Sequence, residues 1–321
     1  MFRPFVLTLL AGACATTLTG CALGQSSGGD VQAGSLGEQA PLKGATITVG
    51  GKEFTEQLVL CEISALSFES AGATVKRSCG LSGTSSVRAA LGSGDIDAYW
   101  EYTGTGWITH LQQTENITDP QELYQAVAAQ DLEKNNITWL PAAPANNTYS
   151  VAVSKEKATE LGVSTISDYA ELASTKPDQA SFCGASEFFG RGDGWPGLQK
   201  SYGFTVPKSA VAELAAGPIY NSIDKAKPCN FGEVFATDGR VEALGLTVLE
   251  DDKKFFAVYN PALTVRKEVV EQYPKLSEVV APVAAALDDA TLRALNAKVD
   301  VGGDTPEVVA KQWLQEKGFV K

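Results

Sequence analysis

The fold is decided by residues 45–77, which read ATITVGGKEFTEQLVLCEISALSFESAGATVKR. Ala45–Gly50 is rich in β-branched residues and predicts a short strand. Thr55 can begin a helix that ends near Ala71, because apolar residues recur at helical spacing after it. Ala73–Arg77 predicts the next strand. A strand, a helix and a second strand in this order make a βαβ unit, which indicates an α/β fold.

The same alternation of strands and helices continues along the chain. It restarts after a predicted strand at Tyr149–Val153 and reaches a last predicted strand at Phe255–Val265, and helices near residues 267–287, 289–297 and 305–317 follow. Such alternation is typical of mostly parallel sheets. We therefore expect two α/β lobes of similar size, which fits a length of 321 residues at about 150 residues per domain.

Composition and charge exclude several classes of protein. The chain has 38 acidic and 26 basic residues, a net charge of −12, which argues against nucleic-acid binding because that function needs a basic surface. His110 is the single histidine, so a multi-histidine metal site is impossible, and we interpret His110 as a helix-surface or packing residue. The sequence has no phosphate-binding loop and no visible nucleophile–base pair. We expect no metal, no cofactor and no enzymatic activity.

The N-terminus predicts export and a lipid anchor. Phe5–Ala15 is an apolar run that suits a signal peptide and is too short to span a bilayer. Leu18–Cys21 resembles a bacterial lipobox, which implies removal of a signal peptide of residues 1–20 and a lipid on Cys21; the alternative is an ordinary secretory signal with an incidental cysteine. The Gly- and Ser-rich residues 21–43 predict a flexible tether. We expect an extracytoplasmic protein that is anchored to the cell membrane by this lipid alone.

Four cysteines remain after the signal peptide and the lipidated residue. Export permits disulfides, and four cysteines allow three pairings. We favour Cys61–Cys79 and Cys183–Cys229, because each pair then lies within one lobe; buried free thiols are the alternative. The absence of a Cys-x-x-Cys pair in the sequence argues against a zinc site.

Several loops that follow predicted strands carry residues typical of a binding site. Ligands of open α/β sheets bind beyond the carboxyl ends of strands. In Gly50–Gln57 the start of a helix and Lys52 could bind an anion, although Lys52 could also be a solvated residue of a tight turn. The aromatic residues of Trp100–Trp107 could hold a desolvated cation or pack in the core. Arg191, with Glu187 four residues earlier, could bind a carboxylate or form a surface ion pair.

Taken together, these segments resemble the substrate-binding proteins of ABC importers for glycine betaine, choline and related quaternary amines. The family pattern runs G-S-K-x-F-T-E-Q, Y-P-E-Y-T-G-T, N-N-T-Y, E-F-x-x-R, S/T-T-D-G and P-Y-N. The corresponding segments here are, in the same order, Gly50–Gln57, Tyr99–Thr105, Asn146–Tyr149, Glu187–Arg191, Thr237–Gly239 and Val258–Asn260. Order and intervals hold over roughly residues 44–319, which is nearly the whole mature chain.

The resemblance implies a two-lobed fold of the periplasmic-binding-protein type, similar to type II, with two crossovers and the ligand in the cleft between the lobes. The first lobe would comprise residues 44–148 and 256–321, and the second lobe residues 149–255. It also implies that the protein works with the permease subunits of an ABC importer. We expect it to do so as a monomer.

The resemblance further implies a set of ligand-binding residues. The aromatic box for the cation would be Tyr102, Tyr149, Phe235 and Tyr259. The partners of the ligand's carboxylate would be Lys52, Thr105 and Arg191, with Glu187 near the cation or orienting Arg191. Three positions depart from the pattern and bear on which amine is bound: Gly51 replaces a serine, Trp100 replaces a proline, and Phe235 lacks the hydroxyl of a tyrosine.

The chemistry of an aromatic box is independent of the family. A trimethylammonium group has no N–H to donate and is cationic with an apolar surface, so aromatic faces recognise it at roughly 0.5–2 kcal/mol per ring. Two alternatives remain open from sequence. The same fold could bind another cationic or aromatic small molecule, or a two-lobed fold of this kind could be a transferase.

Overall fold

A computed structural model describes residues 31–115 and 117–321. The ten strands are β1 (Thr46–Lys52), β2 (Thr74–Leu81), β3 (Ala98–Tyr102), β4 (Ile137–Trp139), β5 (Tyr149–Ser154), β6 (Phe182–Gly184), β7 (Val211–Glu213), β8 (Phe231–Phe235), β9 (Leu246–Val248) and β10 (Pro261–Arg266). The α-helices are α1 (Thr55–Ser70), α2 (Thr84–Ser93), α3 (Thr103–Thr105), α4 (Pro120–Asn135), α5 (Lys155–Leu161), α6 (Ile166–Thr175), α7 (Ser186–Gly190), α8 (Trp195–Tyr202), α9 (Ala216–Asp224), α10 (Gly239–Ala243), α11 (Lys267–Gln272), α12 (Leu276–Ala285), α13 (Asp289–Asp300) and α14 (Pro306–Glu316). A π-helical turn at Gly106–His110 continues α3.

The strands form two five-stranded sheets of the same design. The first has the order β2-β1-β3-β10-β4 and the second the order β7-β6-β8-β5-β9. The expectation of mostly parallel sheets is wrong for half of the pairings: β10 is antiparallel to β3 and β4, and β5 is antiparallel to β8 and β9. In each sheet the antiparallel strand is the one that the chain enters from the other sheet, so its direction is set by the crossover.

The chain passes between the sheets twice, after β4 and after β9. The second passage explains one error of the sequence analysis. The apolar run 255–265 predicts one strand, but residues 255–260 have no regular structure and the strand begins at Pro261. The apolar side chains of 255–260 are partly or fully buried in loops, and an apolar run alone does not distinguish this from a strand. Pro274 likewise separates α11 from α12 within the single helix predicted near 267–287.

Helix α1 is the centre of the first lobe and sets the position of the site. It buries residues around its whole circumference, including Leu60, Ile63 and Phe68, between the first sheet and the C-terminal helices. Its N-terminus is therefore fixed at the carboxyl end of β1. The turn with Lys52 and Phe54 is held in the same place.

The residues before β1 differ from the expected tether. Residues 31–43 pack against the end of the chain: Leu36 and Leu42 are buried, and the Leu36 backbone N–H donates to the carbonyl of Phe319 at 3.2 Å. The Gly and Ser content concealed these two apolar anchors. The predicted signal peptide, Cys21 and the rest of the tether lie outside the described residues.

The described residues contain two disulfides, Cys61–Cys79 and Cys183–Cys229, with Cα–Cα distances of 6.1 and 5.6 Å, as the sequence analysis favoured. The first joins α1 to β2, and the second joins β6 to the residues just before β8. Each bond therefore lies beside one sheet, and neither bond joins the two sheets. In the described part of the chain, no helix is long and apolar enough to cross a membrane.

Candidate ligand-binding cleft

A cavity of about 480 Å³ lies between the two sheets. Its volume is typical of small-molecule sites. All the residues that the sequence analysis assigned to ligand binding line this cavity: Lys52, Tyr102, Thr105, Tyr149, Glu187, Arg191, Phe235 and Tyr259. The structure thus brings them together, because the carboxyl ends of β1, β3, β6 and β8 all face the cleft. Their contacts with a ligand remain a prediction.

Aromatic rings form one wall of the cavity. The ring centroid of Tyr149 lies 5.1 Å from that of Phe235 and 5.8 Å from that of Tyr259, the latter edge to face. Phe54, which the sequence analysis missed, stacks on Phe235 at 5.4 Å and lies 6.3 Å from Tyr102. The position of Phe54 two residues after Lys52 was the available signal. A cation on this wall would contact aromatic faces from both lobes.

Lys52 lies in a buried hydrogen-bond network. Its Nζ donates to Glu101 Oε1 at 2.7 Å and lies 5.3 Å from the centroid of the Tyr102 ring. Glu101 is fully buried and also accepts hydrogen bonds from the Tyr99 hydroxyl and the Tyr102 N–H. Burial raises the pKa of Glu101, but Lys52 and His110 outweigh it and hold that pKa well below its usual value. Glu101 is therefore ionised and fixes Lys52 at the edge of the cavity.

His110 completes this network. Its Nε2 lies 2.8 Å from Glu101 Oε2, and its side chain is only 6% exposed. The interpretation of His110 as a helix-surface or packing residue did not include this hydrogen bond. The π-helical turn at Gly106–His110 directs the imidazole inward, and no sequence pattern predicted that turn.

Arg191 is surrounded by acceptors. It donates from Nη1 to Glu187 Oε1 at 3.0 Å, from Nε to Asp193 Oδ1 at 2.8 Å, and from Nη2 to Thr105 Oγ1 at 3.3 Å. Asp193 also accepts from the Tyr259 hydroxyl at 2.6 Å. Asp193 was not among the predicted residues. The guanidinium is therefore already paired with two carboxylates, and Glu187 has the orienting geometry that was one of its two expected roles.

Glu187 and Glu56 are among the carboxylates that connect the lobes. Glu187 of the second lobe accepts hydrogen bonds from the backbone N–H and the hydroxyl of Thr84, the first residue of α2. Glu56 of α1 accepts from the Thr237 hydroxyl of the second lobe at 2.5 Å. The lobes are thus in contact on both sides of the cavity.

Glu56 is a buried hub that the sequence analysis also missed. Besides Thr237, it accepts from the Tyr102 hydroxyl and Asn147 Nδ2, each at 2.8 Å, and from Asn296 Nδ2 at 3.0 Å. Burial raises the pKa of Glu56 in spite of these donors. Glu56 therefore links Tyr102, a ring of the predicted box, to Asn147, which lies in the first crossover.

Glu233 is a further buried carboxyl that lines the cavity. It accepts one hydrogen bond, from the backbone N–H of Ala185 at 3.0 Å. Burial raises the pKa of Glu233 to about 8. Within residues 31–115 and 117–321, no group of three or more His, Cys, Asp or Glu residues could hold a metal ion.

Comparison with known proteins identifies the family. Residues 45–316 match the substrate binding domain of ABC-type glycine betaine transport system. A glycine-betaine-binding protein of Pseudomonas aeruginosa is 37% identical over 276 residues, which are 84% of this chain and 88% of that protein. An ergothioneine transport permease/ergothioneine binding protein of Helicobacter pylori is 34% identical over 88% of this chain and 48% of that protein.

The structural comparison agrees with the sequence comparison. The apo structure of YehZ from Escherichia coli has a TM-score of 0.63 at 32% identity, over 85% of this chain and 99% of that one. The expected two-lobed fold of the periplasmic-binding-protein type is thereby confirmed, and so is a solute-binding rather than an enzymatic role. The chain belongs to the substrate-binding domains of ABC-type glycine betaine transport systems and is the substrate-binding protein of an importer of the betaine and choline type.

Proposed function

We propose that this protein is an extracytoplasmic receptor that binds a quaternary amine in the cleft, closes around it, and delivers it to the permease subunits of an ABC importer. One observation carries the proposal: the four rings of the predicted aromatic box, Tyr102, Tyr149, Phe235 and Tyr259, line one cavity together with Lys52 and Arg191. Rings suit the cation, and basic groups suit a carboxylate at the other end of the same ligand.

The contribution of each lobe supports a hinged mechanism. Tyr102 comes from the first lobe, Phe235 from the second, and Tyr149 and Tyr259 lie beside the two crossovers. A ligand on all four rings has its full set of contacts only when the lobes are together. That difference in contacts allows a ligand to shift an equilibrium between open and closed forms, and an importer can then recognise the closed form.

The charges around the cavity bear on which amine is bound. Lys52 is paired with Glu101, and Arg191 with Glu187 and Asp193. A carboxylate ligand such as glycine betaine would have to share these cations with the protein's own carboxylates, whereas choline would not need them. One relative is named a glycine-betaine-binding protein and another an ergothioneine binding protein, so both zwitterions belong in a ligand panel. Another cationic or aromatic small molecule is the second candidate ligand.

The membrane attachment is a separate part of the proposal. Leu18–Cys21 has the lipobox-like pattern, and the protein would be held outside the cytoplasm by a lipid on Cys21. One acyl chain binds a membrane only marginally, so at least two chains at this residue are expected.

A ligand panel tests the proposed function. Purified protein is titrated with glycine betaine, choline, carnitine, proline betaine and ergothioneine, with trehalose and proline as solutes that lack a quaternary amine. At least one quaternary amine should raise the melting temperature in a saturable manner and be recovered unchanged. Absence of binding by all of the amines would refute the proposal, and binding of a different cation alone would favour the second candidate.

A further inference from the structure

Five charged residues line the cavity, and they differ in whether an ion pair or solvent compensates the charge: Lys52, Glu53, Glu187, Arg191 and Glu233. Lys52 is paired with Glu101, and Arg191 is paired with Glu187. Glu53 is exposed to solvent. Glu233 is 3% exposed, and among the described residues it has no ion pair.

The surroundings of Glu233 are built for a carboxyl group. On β8 it lies two residues before Phe235, so both side chains are on the same face of the strand. Its Oε2 accepts from Ala185 N–H, and a Cβ on Gly184 would lie 3.1 Å from that oxygen, so glycine leaves the space that the carboxyl needs. In the described part of the chain, no hydrogen-bond donor reaches Oε1.

Burial of an unpaired carboxylate is costly, and the group responds by keeping its proton. Burial is the main reason that the pKa of Glu233 is raised to about 8, and Glu187 of α7 raises it further. Arg191 acts in the opposite sense, while the Tyr149 ring of β5 is neutral. The raised pKa of Glu233 therefore favours its neutral form near pH 7.

We propose that Glu233 is the counter-charge for the ligand's cationic group, and thus a specificity-determining residue of this cleft. The inference rests on the proposed function and goes beyond it by assigning this group. As the quaternary amine settles against Phe235, the O–H bond of Glu233 breaks, the proton leaves to bulk solvent, and the carboxylate remains opposite the cation. The aromatic faces attract the cation, and a fixed carboxylate beside Phe235 adds to the discrimination against an uncharged isostere.

The experiment uses two matched probe pairs that differ only in the charge at one atom. Choline is compared with 3,3-dimethylbutan-1-ol, and glycine betaine with 3,3-dimethylbutanoate. Titration calorimetry at pH 7 in phosphate and in Tris gives both the affinity and the number of protons exchanged. The variants are Glu233→Gln and, as a matched control, Glu171→Gln on the exposed face of α6.

The expected result has three parts. The wild type prefers each cation over its isostere and releases a substantial fraction of one proton, so its affinity rises from pH 6 to pH 8. Glu233→Gln binds the cation at least tenfold more weakly, loses the corresponding part of the preference over the isostere, and exchanges no proton. Glu171→Gln behaves as the wild type does.

Failure of this inference is distinguishable from failure of the proposed function. If a quaternary amine binds the wild type without proton release, or binds Glu233→Gln with unchanged affinity, the role of Glu233 is overturned while the proposed function stands. If no quaternary amine binds the wild type, both are overturned. Proton release by the wild type is measured without any variant, so the inference remains testable even if Glu233→Gln does not fold.

Discussion

Glu187 of the second lobe accepts a hydrogen bond from the backbone N–H of Thr84 in the first lobe, with an N–Oε2 distance of 3.2 Å. Thr84 is the first residue of α2, so the carboxylate lies at the positive end of a helix that belongs to the opposite lobe. The same carboxylate holds Arg191, which lines the cavity. Closure of the lobes and the position of a predicted ligand-binding cation are therefore linked through one side chain.

The first prediction concerns this link. Thr84→Ala removes the hydroxyl that donates to Glu187 and leaves the backbone contact in place. One such hydrogen bond contributes about 0.5–1.5 kcal/mol, so every ligand should bind roughly 2- to 10-fold more weakly because the closed form is less populated. Calorimetry measures the affinity and X-ray scattering the compaction. Ser85→Ala, at the exposed neighbouring position, is the control. Selective loss of one ligand would instead make Thr84 a ligand contact.

The sequence predicts most of the fold and the place of the site. The alternation of β and α elements is read directly from residues 45–77, and the strand ends carry the motifs that meet at the cavity. Carboxyl ends of parallel strands lie at one edge of a sheet, which places Lys52 at such an edge. Phe235 belongs to the other sheet, and its place at the same cleft was predicted from the family resemblance.

The remaining parts of the site are relationships between residues, which a single sequence does not carry. Glu101, Asp193 and Glu233 are ordinary acidic residues by type, and their importance comes from burial and from their partners. His110 was underestimated because a π-helical turn directs it at Glu101. The packing of residues 31–43 was missed for a similar reason. Leu36 and Leu42 fix this Gly-rich segment only because the folded protein offers an apolar surface on which they are buried.

The second prediction concerns the aromatic wall. Phe235 has no polar group, so Phe235→Leu removes a ring without breaking a side-chain hydrogen bond. We expect a quaternary amine to bind about 1–2 kcal/mol more weakly, the value of a desolvated cation–π contact, whereas Phe235→Tyr should keep the affinity. Phe255→Leu, a ring outside the wall, is the matched control. Equal losses for Phe235→Leu and Phe255→Leu in calorimetry would mean that the ring acts through packing alone.

The third prediction separates zwitterions from simple cations. Arg191→Gln removes a cation that a ligand carboxylate would use, and it leaves Glu187 and Asp193 without their partner. Glycine betaine should lose at least tenfold in affinity, about 1.4 kcal/mol, while choline should lose much less because it has no carboxylate. The ratio of the two dissociation constants is the measurement. Arg240→Gln, which breaks a partly buried ion pair with Asp238 of the second lobe and another with Asp300 of the first lobe, should affect both ligands alike and leave this ratio unchanged. Equal effects on both ligands would remove Arg191 from the carboxylate end.

The fourth prediction concerns the anchor. Cys21→Ala should remove the lipid, so the protein should leave the membrane fraction or accumulate as uncleaved precursor. Cell fractionation with an antibody to the protein measures this, and Cys14→Ala, within the predicted signal peptide, should leave attachment intact. Retention of Cys21→Ala in the membrane at the wild-type level would reject the lipobox.

The fifth prediction follows from the raised pKa of Glu233. Between its ordinary value of 4.5 and about 8, the unfolded chain loses this proton while the folded protein keeps it. The folded state then binds more protons, so the free energy of unfolding falls as pH rises through this window and is level again above it. The loss attributable to Glu233 is on the order of 4 kcal/mol between pH 5 and pH 8. The raised pKa of Glu56 also lowers the free energy of unfolding as pH rises, but it does so in every variant.

The difference between Glu233→Gln and wild type isolates this effect, because Glu56 and all other titrations cancel in it. Urea unfolding at pH 5, 6.5 and 8 should show Glu233→Gln gaining stability over the wild type as pH rises, while Glu171→Gln follows the wild type. Saturating choline should reduce the gap, since a bound cation stabilises the ionised carboxyl of the wild type and finds no charge in the variant. If the three proteins keep parallel pH profiles, Glu233 is already ionised in the folded protein. The buried carboxylate would then be compensated by a positive charge of the protein and not by that of a ligand.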